Sequence, residues 1–308
     1  MDLSAISPTL LAASVMVTAT PILLAAIGEL VVERAGVLNL GVEGMMITGA
    51  VTGFIVAVAT QSPWAGFLGA ALGGATLALL FAILTQHLLS NQVATGLALT
   101  LAGIGLSSLL GQPYVGIRAP ALPALDLGPL ADIPVLGPVL FRHDPMVYAG
   151  LALCAATWAF LRHSRAGLIL RAVGENHDAA HALGYKVIRI RTAAILFGGA
   201  CAGLGGAYLS LVRVPQWTEG VTAGAGWIAL AIVVFAAWRP GRLLVGAYLF
   251  GGIGALQLNL QAARAPIPVE VLSMAPYVVT ILTLVLLSAG RGGQGAPGAL
   301  GKPFHASS

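Results

Sequence analysis

The sequence predicts an all-α fold, a polytopic bundle of membrane-spanning helices, and three observations carry that prediction. Of its 308 residues 58% are hydrophobic and only 8% charged, with a mean hydropathy of +0.92. That balance excludes a soluble domain of this length. The apolar residues are gathered into segments of the length needed to cross a hydrocarbon core of about 30 Å. Between those segments lies a single long polar interval, 162–191, which holds six of the fifteen Lys and Arg residues.

Taken in order, the apolar segments are 9–28, 37–60, 64–87, 93–111, 146–161, 192–212, 224–238, 243–261 and 274–289. They give nine expected spans, give or take one or two, because the segments at 146 and 224 are short. The first run has neither a basic flank nor a small-residue cleavage site, so it is expected to be retained as a span. Forty glycines spread through these runs suit close helix packing in lipid. Cys154 and Cys201 both fall inside apolar segments and are read as small core residues, not as a disulfide or a metal site. The interval 112–145 is too rich in proline for a span and too apolar for a free linker, which predicts short pieces lying over the outer face. Residues 1–290 therefore form the membrane domain, and the Gly, Pro and Ser rich stretch 291–308 is expected to be a disordered cytoplasmic tail.

Orientation follows from the basic residues. With the interval 162–191 inside, alternation also places Arg34, Arg239, Arg242, Arg291 and Lys302 inside, eleven of fifteen in all. Arg118, Arg142, Arg213 and Arg264 then lie outside with Asp126, Asp132 and Asp144. The expectation is a multi-pass protein of a bacterial inner membrane, N-terminus out and C-terminus in.

Within the polar interval, Asn176 is a good N-cap, Asp178 falls in the first turn and Gly184 stands where a left-handed C-terminal residue is needed. Residues 177–183 thus predict a short exposed helix, a handle for a cytoplasmic partner.

Polar residues also fall where lipid would penalise them. Glu29, Glu33 and Arg34 are read as markers of the inner interface, whereas Asn39 and Glu43, one helical turn apart among Gly36, Gly41 and Gly44, are assigned to a translocation pathway. Glu219, Gly220, Gly224 and Gly226 repeat the pattern from the other side, as an inverted repeat around a midplane pathway would.

Other patterns are refused. His177 and His181 at i, i+4 resemble a zinc helix, but Asp178 is too short for the base and no third ligand is near, so both read as surface histidines. Gly224, Gly226 and Ala229 match a loose dinucleotide fingerprint without the required strand, and Gly301-Lys302 lacks the rest of a P-loop. No nucleic-acid patch is visible, and no metal or cofactor is expected on this chain.

Three blocks, GELVVERAGVLNLGVEGMMITGA from Gly28, AGLILRAVGENHDAAHALGY from Ala166 and TAGAGWIALAIVVFAAWRPG from Thr222, resemble in order the permease subunits of ATP-binding-cassette (ABC) importers of the sugar, branched-chain amino-acid and nucleoside type. The nucleoside branch is the best match in length. The resemblance implies a type II-like importer: a second, related permease as partner, more a heterodimer than a homodimer, a separate ATPase that uses ATP and Mg, and an extracytoplasmic substrate-binding protein. It also implies that 177–183 is the coupling helix, with Gly174, Glu175, Asn176, Ala180 and Gly184 matching the family pattern, and that the face of Ala180 and Gly184 touches the ATPase. Ala236-Ala237-Trp238 departs from the family, where a glycine is usual. The chain is thus expected to be a transport subunit and no enzyme, translocating a purine or other nucleoside, with a sugar or branched-chain amino acid as the alternative. From another class, a secondary transporter would use Glu43 or Glu29 as its ion site.

Overall fold

A computed structural model describes residues 7–125, 127–263, 267–289 and 295–305. Asp126, Arg264 and Arg291 lie outside the described residues.

The described chain is a helix bundle. Its elements are α1 (Pro8–Arg34), α2 (Val42–Thr60), α3 (Pro63–Ala82), α4 (Gln92–Gly111), α5 (Pro145–His163), α6 (Arg165–Glu175), α7 (His177–Ala182), α8 (Val187–Tyr208), α9 (Ala225–Phe235), α10 (Pro240–Ala262) and α11 (Val269–Ala289). Proline opens α1, α3, α5 and α10, where its missing N–H costs nothing. The side chains of Ser62, Asn91, Asp144, Ser164 and Asn176 cap α3, α4, α5, α6 and α7 by accepting from the first-turn amides.

Every one of the nine expected segments falls on a helix, but they are not equivalent. Among the described residues, seven helices are long and apolar enough to cross a membrane. The segment 224–238 holds only the 11-residue α9, and 274–289 lies within α11. The described part of the interval 112–145 holds short 3-10 and π turns at Gln112–Tyr114, Gly128–Asp132 and Gly137–Phe141. In the polar interval the expected short helix is α7, preceded by a second helix, α6, that the capping signals alone did not reveal.

The centre of the bundle is α1, α2 and α8. In the apolar windows of α2 and α8, 72% of residues are buried, against 28% in α4, which marks α4 as peripheral. Small residues allow this density: a Cβ on Gly49 would stand 2.2 Å from the Cα of Gly203, so α2 and α8 meet backbone to backbone.

Of the stretch 291–308, whose composition predicted a disordered tail, residues 295–305 are described and the remainder lies outside the described residues. Residues 295–305 pack on the bundle, with Phe304 5% exposed and Ala299 3% exposed. One aromatic ring and a few backbone amides supply contacts that a count of Gly, Pro and Ser does not register.

Candidate functional site

The site begins where a helix fails to form. After the π turn Leu209–Arg213 that ends α8, the chain makes two isolated bridges, Gln216 with Arg118 and Trp217 with Val115. It then runs irregularly to α9, with Gly220, Ala223 and Gly224 all at positive φ (66°, 43° and 82°). Helical continuation is impossible there.

Two contacts set the length of the break. Trp217 packs on Phe54 of α2 with ring centroids 6.2 Å apart, and the amides of Gly224 and Gly226 bind Glu43 near the start of α2. Eleven residues of α2 separate those levels, about 16 Å at 1.5 Å per residue, roughly half a hydrocarbon core. Hence α9 is a half-helix, and irregular chain fills the remainder of its span. Non-helical backbone at membrane depth is stable only against protein or a wet cavity.

Glu43 holds the break in place. Its Oε1 accepts from the Thr222 hydroxyl (2.5 Å) and the Gly224 amide (3.0 Å), and its Oε2 accepts from the Gly226 amide (2.7 Å). The carboxylate therefore caps the positive end of α9, where it is favoured. At 3% exposure Glu43 is enclosed by protein. Asn39 is also buried; its Nδ2 donates to Glu29 Oε2 (3.2 Å) and its Oδ1 accepts from Gly41 N (3.0 Å). Of the three residues assigned to a pathway, only Glu219 is exposed, accepting from Ser108 Oγ at 2.6 Å. Farther along the break Trp227 and Tyr277 stand exposed near Gly224, and the Tyr277 hydroxyl donates to the Ala223 carbonyl at 3.0 Å. The two glycine-broken stretches singled out in the sequence do meet, through Glu43.

The other end of α9 is tied to α1. Ala237 and Trp238 both adopt left-handed backbone, φ 47° and 56°, at the turn where the sequence resemblance leads us to expect a glycine. That turn sends the Trp238 indole N–H to the Glu33 carboxylate, and the Trp238 carbonyl accepts from Arg34 Nε (3.0 Å) and Nη2 (2.8 Å). Glu29 and Glu33, read from the sequence as markers of the inner interface, are fully buried within the bundle. They point inward because Asn39 and Trp238 give them donors there.

At the same end sits α7. Asn176 Oδ1 accepts from the Ala179 amide at 2.9 Å, and Gly184 has φ 86°, as the capping signals predicted. Gly174 lies against the α1–α2 turn, where a Cβ would fall 2.0 Å from the Arg34 carbonyl oxygen; Glu175 reaches Arg34 at 4.0 Å. Ala180 does not face outward. It is 2% exposed, clustered with Val173, Val187 and Phe304, because a 6-residue helix lying on the bundle must bury one stripe. The outward face carries Asp178, Ala179 and Leu183, the last 77% exposed. His177 is likewise buried, not a surface histidine: its Nδ1 stands 3.0 Å from Arg191 Nη2. Burial and the nearby Arg191 hold its pKa below the ordinary 6.5. No group of three metal-ligating side chains occurs among the described residues.

Sequence reasoning missed Thr222, Trp238, Arg191 and Phe304. Arg191 carried one usable signal, a basic residue in the early part of a helix, against the macrodipole, which needs acceptors from elsewhere. Phe304 carried another as the lone aromatic of its stretch.

Seven apolar helices of spanning length among the described residues, packed around a half-length helix, make this a multi-pass membrane protein. The chain belongs to the family described as branched-chain amino acid transport system / permease component, whose model matches residues 11–287. It is 42% identical to a proposed glucose ABC transporter permease, TsgC13 of Haloferax volcanii, over 86% of this chain and 88% of that protein. It is 31% identical to the nucleoside ABC transporter permease NupC of Lactococcus lactis, over 90% and 92%. In fold it is similar to a solved structure described as an inward-facing conformation of a proposed metal-chelate type ABC transporter, with TM-score 0.53, 16% identity and 91% and 85% coverage. The chain is thus a multi-pass permease subunit of an ABC importer.

Proposed function

We propose that this permease translocates a nucleoside, with a purine nucleoside first, along the exposed strip of Glu219, Ser108, Trp227 and Tyr277. The observation that carries this reading is the half-helix break, which leaves a carboxylate and two aromatic faces exposed, with a half-buried hydroxyl, beside irregular backbone at membrane depth. Aromatic faces suit a base and the polar groups suit ribose hydroxyls. Contacts of this kind are weak enough to be left as well as entered. Asn39 and Glu43 act in this reading as the frame of the pathway and not as its lining.

A second, related permease covers the strip from the opposite side. A separate ATPase, using ATP and Mg, docks on α7 at the cytoplasmic end, with Gly174, Glu175, Asn176 and Gly184 shaping the helix that it grips. A binding protein delivers solute from outside, and the chain lies N-out and C-in in a bacterial inner membrane. A sugar is the second reading, favoured by the 42% identity to a proposed glucose permease.

Uptake in cells carrying the permease and its partners tests both readings. Labelled guanosine should accumulate after collapse of the proton gradient but not after ATP depletion, and unlabelled nucleoside should compete where glucose does not. Competition by glucose alone selects the sugar reading, and loss of uptake on gradient collapse alone selects an ion-coupled transporter.

A further inference from the structure

We infer that residues 295–305 form a strap that positions α7 against the α1–α2 turn, and that Phe304 and Arg191 are positioning residues for transport. The inference rests on the reading of α7 as the helix that an ATPase grips.

The strap touches each part that such a lever must move. The Gly298 amide donates to Glu175 Oε2 (3.3 Å), the Ala299 amide to the Gly174 carbonyl (2.9 Å) and the Gly301 amide to the Gly36 carbonyl (3.2 Å). Those bonds join the end of α6 to the turn between α1 and α2. Further along, the Phe304 ring meets His177 and His181 edge-on, with centroids 5.4 Å and 5.2 Å away. It thereby closes over the buried stripe of α7.

Arg191 makes a second, independent tie. It is fully buried, and its guanidinium donates to the Ala35 carbonyl (3.2 Å) and the Lys302 carbonyl (3.0 Å), and lies 3.0 Å from His177 Nδ1. One side chain of α8 thus holds the α1–α2 turn, the strap and α7 together. Its partners here are two carbonyls and an imidazole, a geometry that a buried cation tolerates only where every donor is aimed.

The mechanical argument concerns stiffness. A helix of 6 residues has no stability of its own, so α7 keeps its place only through what packs on it. That packing is Val173 from α6, Val187 from α8 and Phe304 from the strap. Remove Phe304 and the outward face with Asp178 and Leu183 is unchanged, but α7 can tilt without carrying the α1–α2 turn along. An ATPase would then grip a loose handle. Stability of the bundle core would survive, because the Phe304 ring belongs to a small cluster separate from the main core.

Phe304→Ala and Phe304→Tyr in the full chain with its ATPase provide the test. Phe304→Ala should keep expression, ATPase co-purification and ATP turnover while uptake falls about tenfold or more, the rate equivalent of losing about 1.4 kcal/mol of alignment. Phe304→Tyr, which keeps the ring between the imidazoles, should restore uptake. Gly301→Val is the second variant: at φ 73° a β-branched residue is strained, so the strap should lift with no substitution in α7 itself. Strap docking is read separately with Ala299→Cys, which should resist a maleimide in the otherwise native chain and react when combined with Phe304→Ala. Rapid labelling in the native background, full uptake in both strap variants, or loss of ATPase binding together with uptake would each overturn the inference. Failure of the α7 reading would show differently, as ATPase binding indifferent to changes on the outer face while the thiol introduced by Ala299→Cys stays protected.

Discussion

The Glu43 carboxylate lies 2.7 Å from the amide nitrogen of Gly226, joining residues 183 apart in the chain and fixing where the half-helix α9 begins. Glu43→Gln should therefore act on folding before it acts on transport. The amide can accept at one oxygen but would aim its NH2 at a donor, losing at least one charge-assisted bond, about 1.5–3 kcal/mol. The purified variant should show a lower thermal midpoint and poor recovery. A variant of normal stability that fails only in uptake would return Glu43 to the pathway lining.

A second expected outcome concerns the turn after α9. Ala237 pays about 1–2 kcal/mol for its left-handed backbone, partly offset in the unfolded chain by the lower entropy of alanine. Ala237→Gly should thus stabilise by about 1 kcal/mol, a rise of roughly 2 °C in midpoint for a chain of this size. Trp238→Gly should do the opposite, since it removes the indole bond to Glu33. An unchanged or lowered midpoint for Ala237→Gly would mean that φ 47° carries no strain at this turn.

Much of the bundle was legible beforehand because long apolar runs report burial in lipid whatever their neighbours. The nine segments fall on helices, and Asn176 and Gly184 bound α7, because caps act within one turn of chain. What escaped was long-range. Nothing local says that Ala180 turns inward or that Glu33 meets Trp238 across 205 residues. Nor does a compositional reading of 295–305 register that three of its amides find acceptors on α6 and the α1–α2 turn. Glu43 was found by its cost in lipid, but its function as a clasp depends on Thr222, Gly224 and Gly226 arriving there, which only the fold decides.

Topology can be read with two single cysteines. Asp132 and Asp178 are both exposed, one in the turns before α5 and the other on α7 beyond its far end, so α5 separates them. Asp178→Cys should be labelled only from the cytoplasm and Asp132→Cys only from outside, as the basic-residue bias orients them. Labelling of both from one side would break the assignment of α5 as a span.

Acidification should loosen the α7 region through His177. Its folded pKa lies below the ordinary 6.5, with burial and Arg191 as the leading causes, Lys302 adding and Asp178 opposing. The folded state then binds the proton less readily than the unfolded state. The contribution is full above 6.5 and is lost as pH falls through the depressed folded value. Thermal midpoints at pH 7.5 and about 5.5, compared between the native chain and His177→Gln, isolate this share. The native chain should lose more on acidification than the variant; equal losses would exclude His177.

The remaining prediction concerns which face of α7 a partner touches. Ala180 is a poor probe of docking, because at 2% exposure an arginine there would displace Phe304 and Val187 before it met any partner. Leu183 is the clean one. It is 77% exposed at the end of α7, and its backbone is compatible with any L residue, φ −79°. Leu183→Arg should leave insertion and strap docking intact, since arginine is well tolerated at helix surfaces. If an ATPase groove closes over this face, the substitution removes an apolar contact and forces a cation into a desolvated site, a cost of about 3 kcal/mol or more. Co-purification of the ATPase and uptake should then fall together by more than about a hundredfold. Full ATPase binding and full uptake in a well-folded Leu183→Arg chain would take α7 out of the coupling path, and the contact would have to be sought elsewhere on the cytoplasmic end.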